Sequence, residues 1–170
     1  MAARLDRLPP HPSHVDEPDT LLDLIELFFF AYRDFVSDPD AILARYGFGR
    51  AHHRVLHFVN RNPGMKVADL LEILKITKQS LGRVLKELVD SGFVEQRTGP
   101  EDRRQRLLYA TDSGAGLALS LSDPQSRRIR SALADMEPGA RETATTFLFR
   151  MVDASERPSV ARLARQDVPG

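Results

Sequence analysis

Between Thr77 and Lys86, polar and apolar residues separate onto two faces of one helical repeat. Lys78, Gln79, Gly82, Arg83 and Lys86 share a face; Leu81, Val84, Leu85, Leu88 and Val89 share the other. The polar set suits a duplex. Arginine donates two hydrogen bonds to guanine, glutamine makes a donor–acceptor pair with adenine, and lysine meets guanine or phosphate. Lys78, Gln79, Ser80 and Arg83 are therefore expected at bases or nearby phosphates, and Lys86 at phosphate. Thr77 is expected to cap the helix and to reach a phosphate. Gly82 is costly in a helix interior, roughly 1 kcal/mol against alanine. A side chain there would hold the helix away from base edges. An ordinary amphipathic helix with a solvated charged face would show the same pattern.

What favours the duplex is the loop that follows, Gly99-Pro100-Glu101-Asp102-Arg103-Arg104. Two arginines at a hairpin tip suit a phosphate strand or a narrow minor groove, where the potential is most negative. Asp102 stands two residues before Arg104, close enough for its carboxylate to orient the guanidinium. Alone, the loop is only a charged turn; its place after a helix pair gives it meaning.

The elements that must position these groups are legible around them. Residues 1–18 hold Pro9, Pro10, Pro12 and Pro18 and read as a flexible arm. A helix over residues 20–37 carries an apolar stripe from Leu21 to Phe35, and Ser37-Asp38-Pro39-Asp40 is expected to break it. A short turn of helix over 41–45 leads to Gly47 and Gly49. Further helices are expected over 50–60, 67–74 and 78–91, with Thr77 as N-cap and Gly92 closing the last. Residues 93–97 and 106–110 are β-compatible. A helix from Ser113 is expected to kink or stop at Pro124 and resume to about Met136. A last helix covers 140–154, Pro158 breaks it, and Val160 and Leu163 add a final turn.

Composition narrows the possibilities. The chain has 170 residues and formal net charge zero, but the charge is uneven. Residues 1–60 hold 6 basic and 9 acidic side chains, residues 61–106 hold 10 and 7, and residues 107–170 hold 8 of each. The basic surplus coincides with the helix pair and hairpin, and a duplex-binding face needs local rather than overall charge. Without cysteine, disulfides and thiolate metal sites are excluded. The most apolar run, Leu21 to Tyr32, is interrupted by Asp23 and Glu26 and is too short to span a bilayer. No signal peptide is expected, and a cytoplasmic location is.

Residues 50–116 resemble the winged helix-turn-helix of the MarR (multiple antibiotic resistance regulator) family. Met65-Lys66-Val67-Ala68-Asp69-Leu70 is similar to the first helix of that family's pair, and Thr77 to Leu88 to its recognition helix. Ser91-Gly92-Phe93-Val94 is similar to the turn into the wing. Asp102-Arg103-Arg104 and Tyr109-Ala110-Thr111-Asp112-Ser113-Gly114 are similar to the wing's tip and exit, with Ala110 where leucine is usual. With the flanking helices the resemblance covers about residues 20–155.

The resemblance implies a mainly α fold: a three-helix DNA-binding lobe with a β-hairpin wing, and N- and C-terminal helices forming a dimerisation domain. The corresponding boundaries are an arm at 1–18, a dimerisation helix and connection at 19–49, the DNA-binding lobe at 50–112 and dimerisation helices at 113–165. It implies a homodimeric, sequence-specific regulator of transcription, a repressor on a pseudo-palindromic operator. Phe28, Phe29 and Phe30 are too many large groups for a lone surface helix. The family also implies a small aromatic effector between the dimer helices and the DNA-binding lobe. Tyr32, Phe35, Phe48, His52 and Phe58 are candidates to line that crevice, and core packing would place them equally well.

His53 and His57, four apart beside His52, could face a metal from one helix, but no cysteine or acidic third ligand accompanies them. Polar or capping roles are expected instead, with no metal or cofactor. No nucleophile, base and orienting group stand together, so an enzyme is not expected. The rival readings are a winged helix that docks an acidic protein partner, and a small-molecule or metal sensor that acts mainly through a protein partner.

Overall fold

The computed structural model describes residues 20–100, 102 and 104–164. The proline-rich arm, Asp19, Arg103 and Arg165, the last residue of the 113–165 segment, lie outside the described residues. In chain order the elements are α1 (Leu22–Ala44), α2 (Arg50–Arg61), β1 (Met65–Lys66), α3 (Val67–Leu74), α4 (Lys78–Asp90), β2 (Val94–Thr98), β3 (Arg106–Ala110), α5 (Asp112–Ala134), α6 (Ala140–Met151) and α7 (Arg157–Ala164). The chain divides into two compact units, Met1–Asp34 and Phe35–Gly170.

In the first unit, the described residues are mostly an exposed apolar helix. Leu24, Ile25, Phe28 and Phe29 are 45–69 % exposed. Arg33 lies over the Phe30 ring, 5.1 Å from its centroid.

The second unit is built around the packed faces of α2, α3, α4 and α5. Val55, Leu56 and Val59 of α2 meet Leu70 and Leu74 of α3 and Leu81, Leu85 and Leu88 of α4 in one cluster, which Leu117 and Leu121 of α5 complete. These spacings of three and four are what bring apolar side chains to one side of a helix. The sheet is antiparallel in the order β1-β3-β2, with Gln96 opposite Leu108 and Met65 opposite Leu108 on its other side. Leu108 and Val94 bury the inner face of the hairpin in the same cluster.

Three expectations from the sequence are corrected. First, α1 does not stop at Ser37-Asp38-Pro39-Asp40 but runs through to Ala44, absorbing the separate turn expected over 41–45. Pro39 has no N–H for the carbonyl of Phe35 four residues back. The side-chain amide of Gln125 donates to that carbonyl instead, at 3.3 Å. The Pro39 ring is itself fully buried, so packing and a borrowed donor offset the missing bond. Second, α5 is likewise one helix through Pro124, so the proline does not stop it. Third, β1 is an additional strand. It is two residues long, and its partner lies more than forty residues away, so no local alternation announces it. At the C-terminal end, Pro158 falls in the first turn of α7, where a missing N–H costs nothing.

Candidate nucleic-acid interface

The helix pair meets at a tight turn. Lys75 ends α3 in the left-handed region, at φ 51° and ψ 38°. Arg54 of α2 donates to the Leu74 carbonyl at 3.3 Å, satisfying one group that a helix end leaves orphaned. Three residues on, the Thr77 hydroxyl accepts the Ser80 backbone N–H at 3.1 Å and donates to the Ser80 hydroxyl at 2.9 Å. Thr77 is thus the cap its position suggested. At the other end, Gly92 takes φ 75° and donates to the Val89 carbonyl at 3.0 Å. A glycine there turns the chain into β2 without strain.

Between these ends α4 has two distinct sides. Leu81, Val84, Leu85 and Leu88 are buried, whereas Thr77, Lys78, Gln79, Ser80, Gly82, Arg83 and Lys86 are all exposed. Lys86 pairs with Asp90 one turn on, and this pairing raises its pKa above the ordinary lysine range. Arg83 makes no hydrogen bond or ion pair among the described residues. A Cβ on Gly82 would meet nothing within 4 Å, so the protein itself does not require glycine. Gly82→Ala is therefore expected to stabilise the fold by up to about 1 kcal/mol. If α4 enters a groove, it should weaken duplex binding at the same time. Melting curves and binding titrations on one preparation check the opposed signs; tighter or unchanged binding would show that nothing approaches that face closely.

The wing is the hairpin of β2 and β3. Asp102 and Arg104 are exposed at its tip. Asp102 works differently from the expectation: its carboxylate accepts the backbone N–H of Arg104 at 2.9 Å, fixing the turn rather than the guanidinium. Two further cations flank the tip. Arg106 donates to the Thr98 hydroxyl at 2.8 Å. Arg97 pairs with Glu95 and lies over the Tyr109 ring, 4.3 Å from its centroid. Both are exposed wing arginines that strand pattern alone does not single out. Their positions opposite Leu107 and Thr98 in the ladder would have revealed them once the register was known.

The other candidates separate. Phe48 stacks on His52 at 4.6 Å between centroids, with Phe93 edge-on to Phe48 at 5.7 Å. The Phe35 carbonyl serves Gln125, and Tyr32 belongs to the first unit. Phe58 instead lines a cavity of about 750 Å³ between α2, α3 and α7, with His57, Arg61, Ile73, Val160 and Leu163 also on its walls. His53 and His57 are held below the ordinary histidine pKa, mainly by burial. The neighbouring His57 adds to the effect at His53, and Arg61 does so at His57. Among the described residues, no group of three or more His, Cys, Asp or Glu side chains is placed to hold a metal.

Comparison with known proteins turns this geometry into kinship. Residues 46–105, from the turn after α1 to the wing, match the model of the MarR family. Over 133 residues the chain is 47 % identical to the HTH-type transcriptional regulator PetP of Rhodobacter capsulatus, covering 78 % of this chain and 80 % of that one. The chain belongs to the MarR family. Its fold agrees with solved members. MarR itself superposes with a TM-score of 0.62 at 24 % identity, over 88 % of this chain and 98 % of that one. Streptococcus pneumoniae FabT, solved in complex with DNA, gives 0.67 at 13 % identity, over 77 % and 94 %. This MarR-family protein is a winged-helix, DNA-binding regulator of transcription. No helix among its described residues is long and apolar enough to cross a membrane.

Proposed function

We propose that the protein is a repressor that binds a pseudo-palindromic operator as a homodimer. Each subunit lays α4 in a major groove and rests its wing against the minor groove. Lys78, Gln79, Ser80 and Arg83 read bases or neighbouring phosphates, and Gly82 admits the helix to the groove floor. Thr77 and Lys86 hold phosphates. Arg103 and Arg104 serve the wing, with Asp102 shaping its turn. The observation that carries this reading is the exposed face of α4, where every polar candidate stands free of the core.

The dimer is supported by apolar surface that one chain leaves in water. In addition to the exposed stripe of α1, Phe147, Leu148 and Met151 of α6 are 50–55 % exposed, and α6 buries no residue at all. Such surface calls for a partner, and helices at both ends of the chain suit an exchange between two copies. A small aromatic effector that releases the operator is assigned to the cavity beside Phe58, whose volume lies within the range of ligand sites.

Selection from random duplexes tests the reading. Enriched sequences should carry two inverted half-sites about 10–10.5 base pairs apart, centre to centre. Their affinity should fall steeply with salt, because each phosphate neutralised releases counterions. Failure to enrich any sequence, together with capture of an acidic protein through the same α4 face, would assign the fold to protein contact instead.

A further inference from the structure

Glu87 is a carboxylate on the DNA-reading helix, four residues beyond Arg83 and next to Lys86. Residues four apart on a helix are neighbours, and opposite charges at that spacing pair. Two such pairs in this protein do so: Lys86 with Asp90 on the same helix, and Arg127 with Asp123 on α5. Arg83 and Glu87 have the same spacing but do not pair. The Glu87 carboxylate is taken by His52 of α2, with 2.6 Å between Nε2 and Oε2.

His52 is built to hold it. The residue is only 8 % exposed. Its Nδ1 accepts the backbone N–H of Gly49 at 3.1 Å, which leaves the ring proton on Nε2, facing Glu87. Phe48 stacks flat on the imidazole, with 7° between the planes. The ring is thus fixed at both nitrogens and on one face. A hydrogen bond from a buried, oriented donor to a carboxylate outweighs an exposed ion pair between two flexible side chains.

We propose that His52 is a positioning residue of the DNA-reading helix: it draws the Glu87 carboxylate away from Arg83, so that the arginine keeps its charge for the duplex. The inference rests on the role given above to Arg83. Released from His52, Glu87 pairs with Arg83 or faces phosphate, and either outcome opposes binding.

The test compares variants on one duplex recovered by selection. His52→Phe keeps a stacked ring but removes both hydrogen bonds, and should bind about tenfold more weakly, roughly the loss of one charged contact. Glu87→Gln should bind at least as tightly as the unaltered protein. The double variant should return to within about threefold of it, since no carboxylate remains to interfere. His52→Gln, which keeps a donor near the Nε2 position, should preserve most of the affinity.

Should the His52→Phe protein fail to fold, Glu87→Asp serves in its place. One methylene shorter, that carboxylate falls short of His52 yet still reaches Arg83, as Asp90 reaches Lys86, and binding should drop severalfold. A double variant as weak as His52→Phe alone would overturn the proposal, as would unchanged binding by both His52→Phe and Glu87→Asp. An unaltered protein that ignores every duplex would instead remove the reading on which the proposal rests.

Discussion

Gly114→Ala is expected to destabilise the protein by about 3 kcal/mol or more, at or above the upper end of what overpacking a core costs. A Cβ on Gly114 would lie 1.9 Å from the Phe93 carbonyl oxygen and 2.9 Å from its carbon. Both are backbone atoms, so no side chain can rotate out of the way. Nor can the Phe93 carbonyl retreat cheaply, because it accepts the Thr111 backbone N–H at 3.1 Å. Thr111 in turn caps α5 by accepting the Gly114 N–H at 3.0 Å, and its hydroxyl donates to the Gly92 carbonyl at 2.7 Å. The end of α4, the start of the wing and the start of α5 are therefore tied at one point that has room only for hydrogen. Thermal unfolding should register a loss of about 6 °C or more for a chain of this size. Gly116 is the matched control: it lies two residues on, is exposed, and a Cβ there meets nothing within 4 Å. Gly116→Ala should leave stability unchanged or raise it by up to about 1 kcal/mol. Equal melting temperatures for the two variants would refute the steric account.

The second large effect is on DNA binding. Arg104→Ala should weaken operator binding by about 1–3 kcal/mol while the fold and the dimer survive. The reason lies in how the wing tip is made. Asp102 accepts the Arg104 N–H, the Gln105 N–H reaches the Asp102 carbonyl at 3.0 Å, and the Gly99 N–H reaches the Gln105 carbonyl at 3.1 Å. The turn is held by backbone groups and the Asp102 carboxylate, not by the Arg104 side chain, so truncating the exposed arginine removes charge without loosening its support. Asp102→Ala should act the other way round: the cations stay, but the turn loses an anchor. A smaller loss of affinity is expected there, with greater mobility at the tip. Titration of a labelled duplex at fixed salt measures both. An Arg104→Ala protein with undiminished affinity would take the wing out of the interface.

What could be read from the sequence follows from how local each determinant is. The cap at Thr77, the turn at Gly92 and the helix Val67–Leu74 depend on residues within a turn of one another, and the structure has them where the residue types called for them. The polar and apolar sides of α4 follow from spacing alone. Features that depend on distant partners were not visible. The helix through Pro39 is supported by burial of its ring and by Gln125, which serves the Phe35 carbonyl from ninety positions away in sequence. The strand Met65–Lys66 exists only because Leu107 and Leu108 pair with it. Its residue type places His52 with its aromatic neighbours, but nothing local shows that its ring nitrogens serve Gly49 and a glutamate on another helix. Sequence pattern found the exposed polar side of α4 and its cap; it did not find the contact between His52 and Glu87 that lies beside them.

The proposed function requires two copies of this chain to hold one duplex between them. Light-scattering mass of the protein alone, and then bound to its selected duplex, addresses it most directly. A free species of twice the 19.1 kDa chain mass, adding one duplex without changing its own stoichiometry, is the predicted result. A monomer in both states, or a mass unaffected by duplex, would contradict it.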